Sequence, residues 1–136
     1  MDSVARHEGL RLTAYRCPSG ILTIGYGHTH GVFEGQTITK EQAKRLLLAD
    51  IELARQAVDR HTTVSLAPSQ HDALTSFTFN VGEGAFKRSS VLRHINNGQL
   101  NEAAKVLLTY VHDGYGRVCG GLVDRRLKET VMLLRS

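Results

Sequence analysis

One shift in composition limits the fold more than any other feature of the chain. From about Leu12 to Phe33 the residues are rich in Gly, Thr, Tyr and Ile, whereas after Thr39 one helical pattern follows another. Strand formers confined to one early stretch imply an α+β architecture, because strands segregated from helices do not build alternating βαβ units. Ala14-Tyr15-Arg16 and the run from Ile21 to Gly27 flank Cys17-Pro18-Ser19-Gly20, where Pro and Gly suit the tight loop of a hairpin. A third short strand is expected near Val32, completing a small antiparallel sheet. Upstream, Asp2 or Ser3 can cap a short first helix that runs to about Arg11.

Thr39-Lys40-Glu41-Gln42 has the form of a capping box and opens a long helix, along which Ala43, Leu46, Leu47, Asp50, Ile51, Ala54 and Val58 recur at helical spacing. Pro68-Ser69 starts another helix, with Ala73, Leu74, Phe77 and Val81 inward and Gly82 as its stop. Further helices are expected from Ser89 to near Gly98, from Asn101 to about Tyr110, and from Leu122 to Leu134. The 136 residues therefore read as one bilobed domain. The β lobe covers about 12–35, the connecting helix about 39–60, and the helical lobe about 1–11 with 60–136.

A hydrophobic fraction of 41% and a charged fraction of 22% exclude a disordered chain. The formal charge of +4 favours anionic partners such as nucleic acid, a membrane surface or a cell wall. Basic residues are scattered except at Arg125-Arg126, which argues against a nucleic-acid binder. No apolar run approaches the roughly 18–20 residues of a membrane span, so no stable membrane insertion is expected. Met1-Asp2-Ser3 does not open a signal peptide. Cys17 and Cys119 are too sparse for a disulfide framework and suit synthesis in a reducing cytoplasm.

Chemistry concentrates at the front of the chain. Glu8 falls at the end of the first expected helix, Cys17 at the hairpin turn and Thr23 on the returning strand. A hairpin folded back on that helix brings all three to one cleft wall. From spacing alone the alternatives stay open: an exposed helix-end Glu, a thiol that merely fits a turn, a strand Thr. His28-Thr29-His30 with His7 invites a metal site, but Arg11 stands where a zinc-protease helix would carry its second His, so no metal is expected.

The run from Glu8 to His28 resembles the signature of the phage lysozyme (endolysin) family, glycoside hydrolase family 24: a Glu, eight residues, an Asp or Cys, five residues, a Thr. Glu8, Cys17 and Thr23 match it without gaps, as do Glu8-Gly9-Leu10, Ala14-Tyr15 and Thr23-Ile24-Gly25-Tyr26-Gly27-His28-Thr29. Ile38-Thr39-Lys40 to Asp50, Gln70 to Gly82, Phe86 with Ser89-Ser90, and Gly121 to Arg126 resemble family segments in the same order, so the likeness spans nearly the whole chain.

The resemblance implies a lysozyme-like fold and a monomeric muramidase that cuts the β-1,4 bond between N-acetylmuramic acid and N-acetylglucosamine in peptidoglycan, without cofactor. It implies Glu8 as the general acid, Thr23 as the holder of the attacking water and Cys17 in place of a second carboxylate. His28 would pair with Asp50 structurally, and Asn80 would offer an amide to an N-acetyl sugar, although an Asn before Gly82 also suits a helix end. Tyr26 and Phe33 would line sugar subsites or the small-lobe core. Arg125 or Arg126 would steady Glu8 or lie on a solvated helix face. Such an enzyme would stay in the host cytoplasm until release and act on the wall in the periplasm. Its rivals are a lytic transglycosylase, which releases an anhydro product, and a catalytically inactive wall-binding protein.

Overall fold

The computed structural model describes residues 9–17, 20–112, 118 and 120–135. The first expected helix falls mostly outside them. Its expected end at Arg11 does not hold, because Arg11 already opens strand β1 (Arg11–Arg16). β1 pairs antiparallel with β2 (Leu22–Gly25), with Tyr15 opposite Thr23 and Arg16 opposite Leu22, and an irregularity separates these pairs from Arg11 opposite Gly25. The third strand expected near Val32 is replaced by a single bridge between Thr13 and Thr37. Ala14 N–H donates to Gln36 O at 2.8 Å and Ile38 N–H to Leu12 O at 2.9 Å, so the loop runs past Val32 before it closes on β1.

Helix α1 (Lys40–His61) starts where its capping box requires. Thr39 Oγ1 accepts from Gln42 N–H at 3.1 Å, and Gln42 Oε1 accepts from Thr39 N–H at 2.8 Å, which satisfies two of the donors a helix start leaves unpaired. Its first turns cover the hairpin. Gly25 has φ +66°, and a Cβ there would stand 3.5 Å from the Ala43 side chain, so glycine serves both the left-handed backbone and the close packing of helix on strand.

Helix α2 (Pro68–Val81) begins on Pro68 and ends at Gly82, whose φ of +91° turns the chain into the short helix α3 (Glu83–Arg88). Every residue of α2 from Ala73 to Thr78 is buried, as befits a helix surrounded by neighbours. It packs on both α1 and the final helix. Helices α4 (Ser90–Asn96), α5 (Leu100–Leu107) and α6 (Gly120–Leu134) complete the helical part of the fold. Ser89 Oγ caps α4 by accepting from Leu92 N–H at 3.1 Å. The core joins Val58 of α1, Leu74 and Phe77 of α2, Phe86 of α3, Val91 and Ile95 of α4, Leu107 of α5 and Leu133 of α6. Among the described residues, no helix is long and apolar enough to cross a membrane.

Candidate active site

The hairpin end gathers two of the three expected catalytic residues around one carbonyl. Ile21 O accepts from Cys17 N–H at 3.0 Å and from Thr23 Oγ1 at 2.9 Å, while Gly20 N–H closes the turn onto Cys17 O at 2.8 Å. Thr23 is only 4% exposed and Cys17 half-buried. A hydroxyl has one proton and two lone pairs. With that proton committed to Ile21 O, Thr23 can hold a further ligand only as an acceptor. Glu8 lies outside the described residues, as do His7 and Cys119.

A cavity of about 180 Å³ is lined by the Gly27–His30 turn that follows β2, by Asp50 of α1, and by Thr78, Phe79, Gly82 and Glu83 at the junction of α2 and α3, among others. His28 Nδ1 lies 2.8 Å from Asp50 Oδ2, with the two side chains 14% and 22% exposed. The backbones of Ile24 and His28 exchange two 2.9 Å hydrogen bonds, so the turn is fixed to β2 at one side and to α1 at the other. At the cavity's far wall, His61 Nε2 approaches Glu83 Oε2 at 2.8 Å and Arg60 pairs with the same carboxylate. Hydrogen bonding from His61 and then from Arg60 holds the Glu83 carboxyl below its ordinary range. Cys17, Thr23, Tyr26, Phe33 and Asn80 are not among the described lining residues. Tyr26 is half-buried, while Phe33 is 61% exposed and so belongs to no core.

Arg125 and Arg126 are not on a solvated face. Both are buried, Arg126 completely, together with Glu129 at 1% exposure. Arg126 Nη1 lies 3.1 Å from Glu129 Oε1 and Arg125 Nε 3.5 Å from Glu129 Oε2, while Ser76 Oγ donates to Glu129 Oε2 at 2.5 Å. Arg125 Nη2 donates to Ser76 O at 3.2 Å, and its guanidinium lies 5.9 Å from the Phe79 ring centre. Arg126 stacks over Phe77 at 5.1 Å. Burial pushes the Glu129 carboxyl above its ordinary range, against the pull of Arg126, Ser76 and Arg125. Asn80 does not serve as the helix-end cap, a place taken by Gly82; its Oδ1 accepts from Arg126 Nη2 at 2.5 Å. Glu129 and Ser76 escaped the sequence reading. The available signal was Arg125, Arg126 and Glu129 at i, i+3 and i, i+4 spacing on one helix face.

Comparison with known proteins places these features in a family. The profile described as Phage lysozyme matches residues 5–129. The endolysin of Acyrthosiphon pisum secondary endosymbiont phage 1 is 36% identical over 132 residues, covering 95% of this chain and 90% of that protein. The endolysin of Bacillus phage B103 is 41% identical over 137 residues, and here the chain is covered to 98% but spans only 52% of its relative. Among solved structures, the muramidase domain of SpmX from Asticaccaulis excentricus superposes with a TM-score of 0.86 at 38% identity, over 98% of this chain and 92% of that one.

Proposed function

The chain belongs to the phage lysozyme family, and from that premise we propose that it is a peptidoglycan-degrading muramidase whose reaction runs on Glu8, Cys17 and Thr23. It hydrolyses the β-1,4 bond between N-acetylmuramic acid and N-acetylglucosamine. Glu8 protonates the glycosidic oxygen as the bond to the anomeric carbon breaks, which requires a carboxyl still protonated near neutral pH. Thr23 accepts a hydrogen bond from the attacking water and so turns the water's lone pair toward the anomeric carbon. Cys17, as thiolate, takes the proton that water releases. Such a thiolate needs a pKa below the roughly 8.5 of an unperturbed thiol to be abundant at neutral pH. The observation that carries this reading is the shared Ile21 carbonyl. It holds Cys17 and Thr23 at one point of the hairpin, within the stretch that the family profile matches.

Asn80 contacts the glycan through its side-chain amide, and Tyr26 and Phe33 contact sugar faces. His28 and Asp50 hold the cleft turn without entering the chemistry. The enzyme acts on the cell wall, reaching it in the periplasm after accumulating in the host cytoplasm, and it works as a monomer. Glu8→Gln tests the assignment, since an amide cannot donate the proton: clearing of a peptidoglycan suspension should fall by at least about 10²-fold, the lower end for general acid catalysis. Fragment masses from wild-type digests should each show one added water. Anhydro ends would overturn hydrolysis in favour of transglycosylation, and unchanged clearing by Glu8→Gln would overturn the acid.

A further inference from the structure

The polar cluster on α6 reaches from the core to the protein surface along one connected path. Ser76 Oγ donates to Glu129 Oε2 at 2.5 Å, Glu129 Oε1 lies 3.1 Å from Arg126 Nη1, and Arg126 Nη2 donates to Asn80 Oδ1 at 2.5 Å. Its inner members, Ser76, Glu129 and Arg126, are buried, whereas Asn80 is exposed beside Phe79, a residue of the cavity wall. A fold that needed only stability here would be served as well by apolar side chains, because the desolvation of a buried ion pair offsets most of its attraction. Apolar side chains cannot do one thing that this path does. A guanidinium is all donor, so Arg126 engages the oxygen of the Asn80 amide and not its NH₂ group.

We propose that Glu129, held by Ser76, is a positioning residue: through Arg126 it fixes the Asn80 amide with the oxygen inward and the NH₂ presented to the acetamido carbonyl of the glycan. This rests on Asn80 as a glycan contact in the function proposed above. The NH₂ group can only donate, and the acetamido carbonyl is the strongest neutral acceptor along an N-acetylated strand. Glu129 thereby contributes to selection of N-acetylated over de-N-acetylated glycan without touching either.

The test combines ¹⁵N NMR of the Asn80 side-chain amide with kinetics on solubilised glycan strands, N-acetylated and chemically de-N-acetylated. The full chain is used as wild type, Glu129→Gln, Ser76→Ala, Asn80→Ala and the double variant Glu129→Gln/Asn80→Ala. In the wild type the Asn80 amide protons should be ordered, and in Glu129→Gln they should average like a free side chain. KM on N-acetylated strands should rise about three- to tenfold in Glu129→Gln and in Asn80→Ala, as for loss of one neutral hydrogen bond. kcat should change less, and the double variant should add nothing further. On de-N-acetylated strands the variants should match the wild type. Ser76→Ala removes only the hydroxyl and should shift the same readouts in the same direction, which keeps the test open if Glu129→Gln fails to fold. A raised KM in Asn80→Ala with Glu129→Gln and Ser76→Ala at wild-type values in both readouts would overturn the relay and leave the glycan contact standing. An unchanged KM in Asn80→Ala would overturn the contact itself, and the relay's role with it.

Discussion

Removing the His28–Asp50 pair should cost stability and leave catalysis alone. The two residues come from different elements, His28 from the turn after β2 and Asp50 from the middle of α1, and their side chains meet at 2.8 Å. Exposed ion pairs contribute only about 0–1 kcal/mol, whereas a hydrogen bond to a charged group contributes about 1.5–3 kcal/mol. At 14% and 22% exposure this pair stands nearer the second case, so a coupling of about 2 kcal/mol is expected. In a domain of this size about 1 kcal/mol moves Tm by roughly 3–5 °C, so His28→Asn and Asp50→Asn should each lower Tm by roughly 6–10 °C. The double variant should fall little further. Thermal unfolding followed by circular dichroism gives the cycle, and lysis of a wall suspension well below Tm gives the activity, which should match the wild type. Losses that add to within about 0.5 kcal/mol would refute the pairing as a source of stability. A large fall in kcat at full stability would refute its purely structural role.

Thr23→Val should reduce lysis by about 10²-fold through loss of water positioning while Thr23→Ser, which keeps the bond to Ile21 O, retains most activity. Equal rates in the two variants would exclude a role for the hydroxyl. In a Cys119→Ser background, Cys17→Asp should keep substantial lysis and resist alkylation, whereas Cys17→Ala should abolish lysis. The wild-type rate should trace a bell-shaped pH profile as the thiolate forms and Glu8 loses its proton, and near-full activity of Cys17→Ala would make the thiol a bystander. Glu83 has a lowered folded-state pKa, so its contribution is present above its unfolded value and lost as pH falls through the folded one. The stability gap between wild type and Glu83→Gln should therefore shrink as pH falls below the ordinary carboxylate value of 4.5, and a gap that persists unchanged in acid would refute the linkage.

The fold was legible where local chemistry carries its own punctuation. Thr39 and Gln42 mark the start of α1, Pro68 and Gly82 bracket α2, and Cys17 to Gly20 turn the hairpin, because each residue satisfies or breaks backbone hydrogen bonds within a few positions of itself. The misses needed partners distant in sequence. Val32 has a strand former's side chain, but the backbone that closes on β1 belongs to Gln36, Thr37 and Ile38, and no local pattern selects among them. Helix α3, at six residues, is too short to establish a period.

The site divided along the same line. Spacing alone left Glu8, Cys17 and Thr23 open to a bland reading and the resemblance to the family singled them out, whereas the hairpin register explains why Cys17 and Thr23 share one carbonyl. Arg125, Arg126 and Glu129 carry the same three charges that would suit a solvated helix face, since periodicity counts apolar residues and is silent on which polar side the neighbours will cover. What buries them is α2, whose unbroken buried run from Ala73 to Thr78 includes the small polar residues Thr75, Ser76 and Thr78. A helix covered on all sides with hydroxyls at its centre must find them partners or leave them unsatisfied. Ser76 meets that demand through Glu129, whose carboxylate lies within ion-pair distance of both arginines. Ser76 of α2 and the charges of α6 thus explain each other. Neither helix alone could have revealed that Arg126, buried in the core, donates to the surface amide of Asn80.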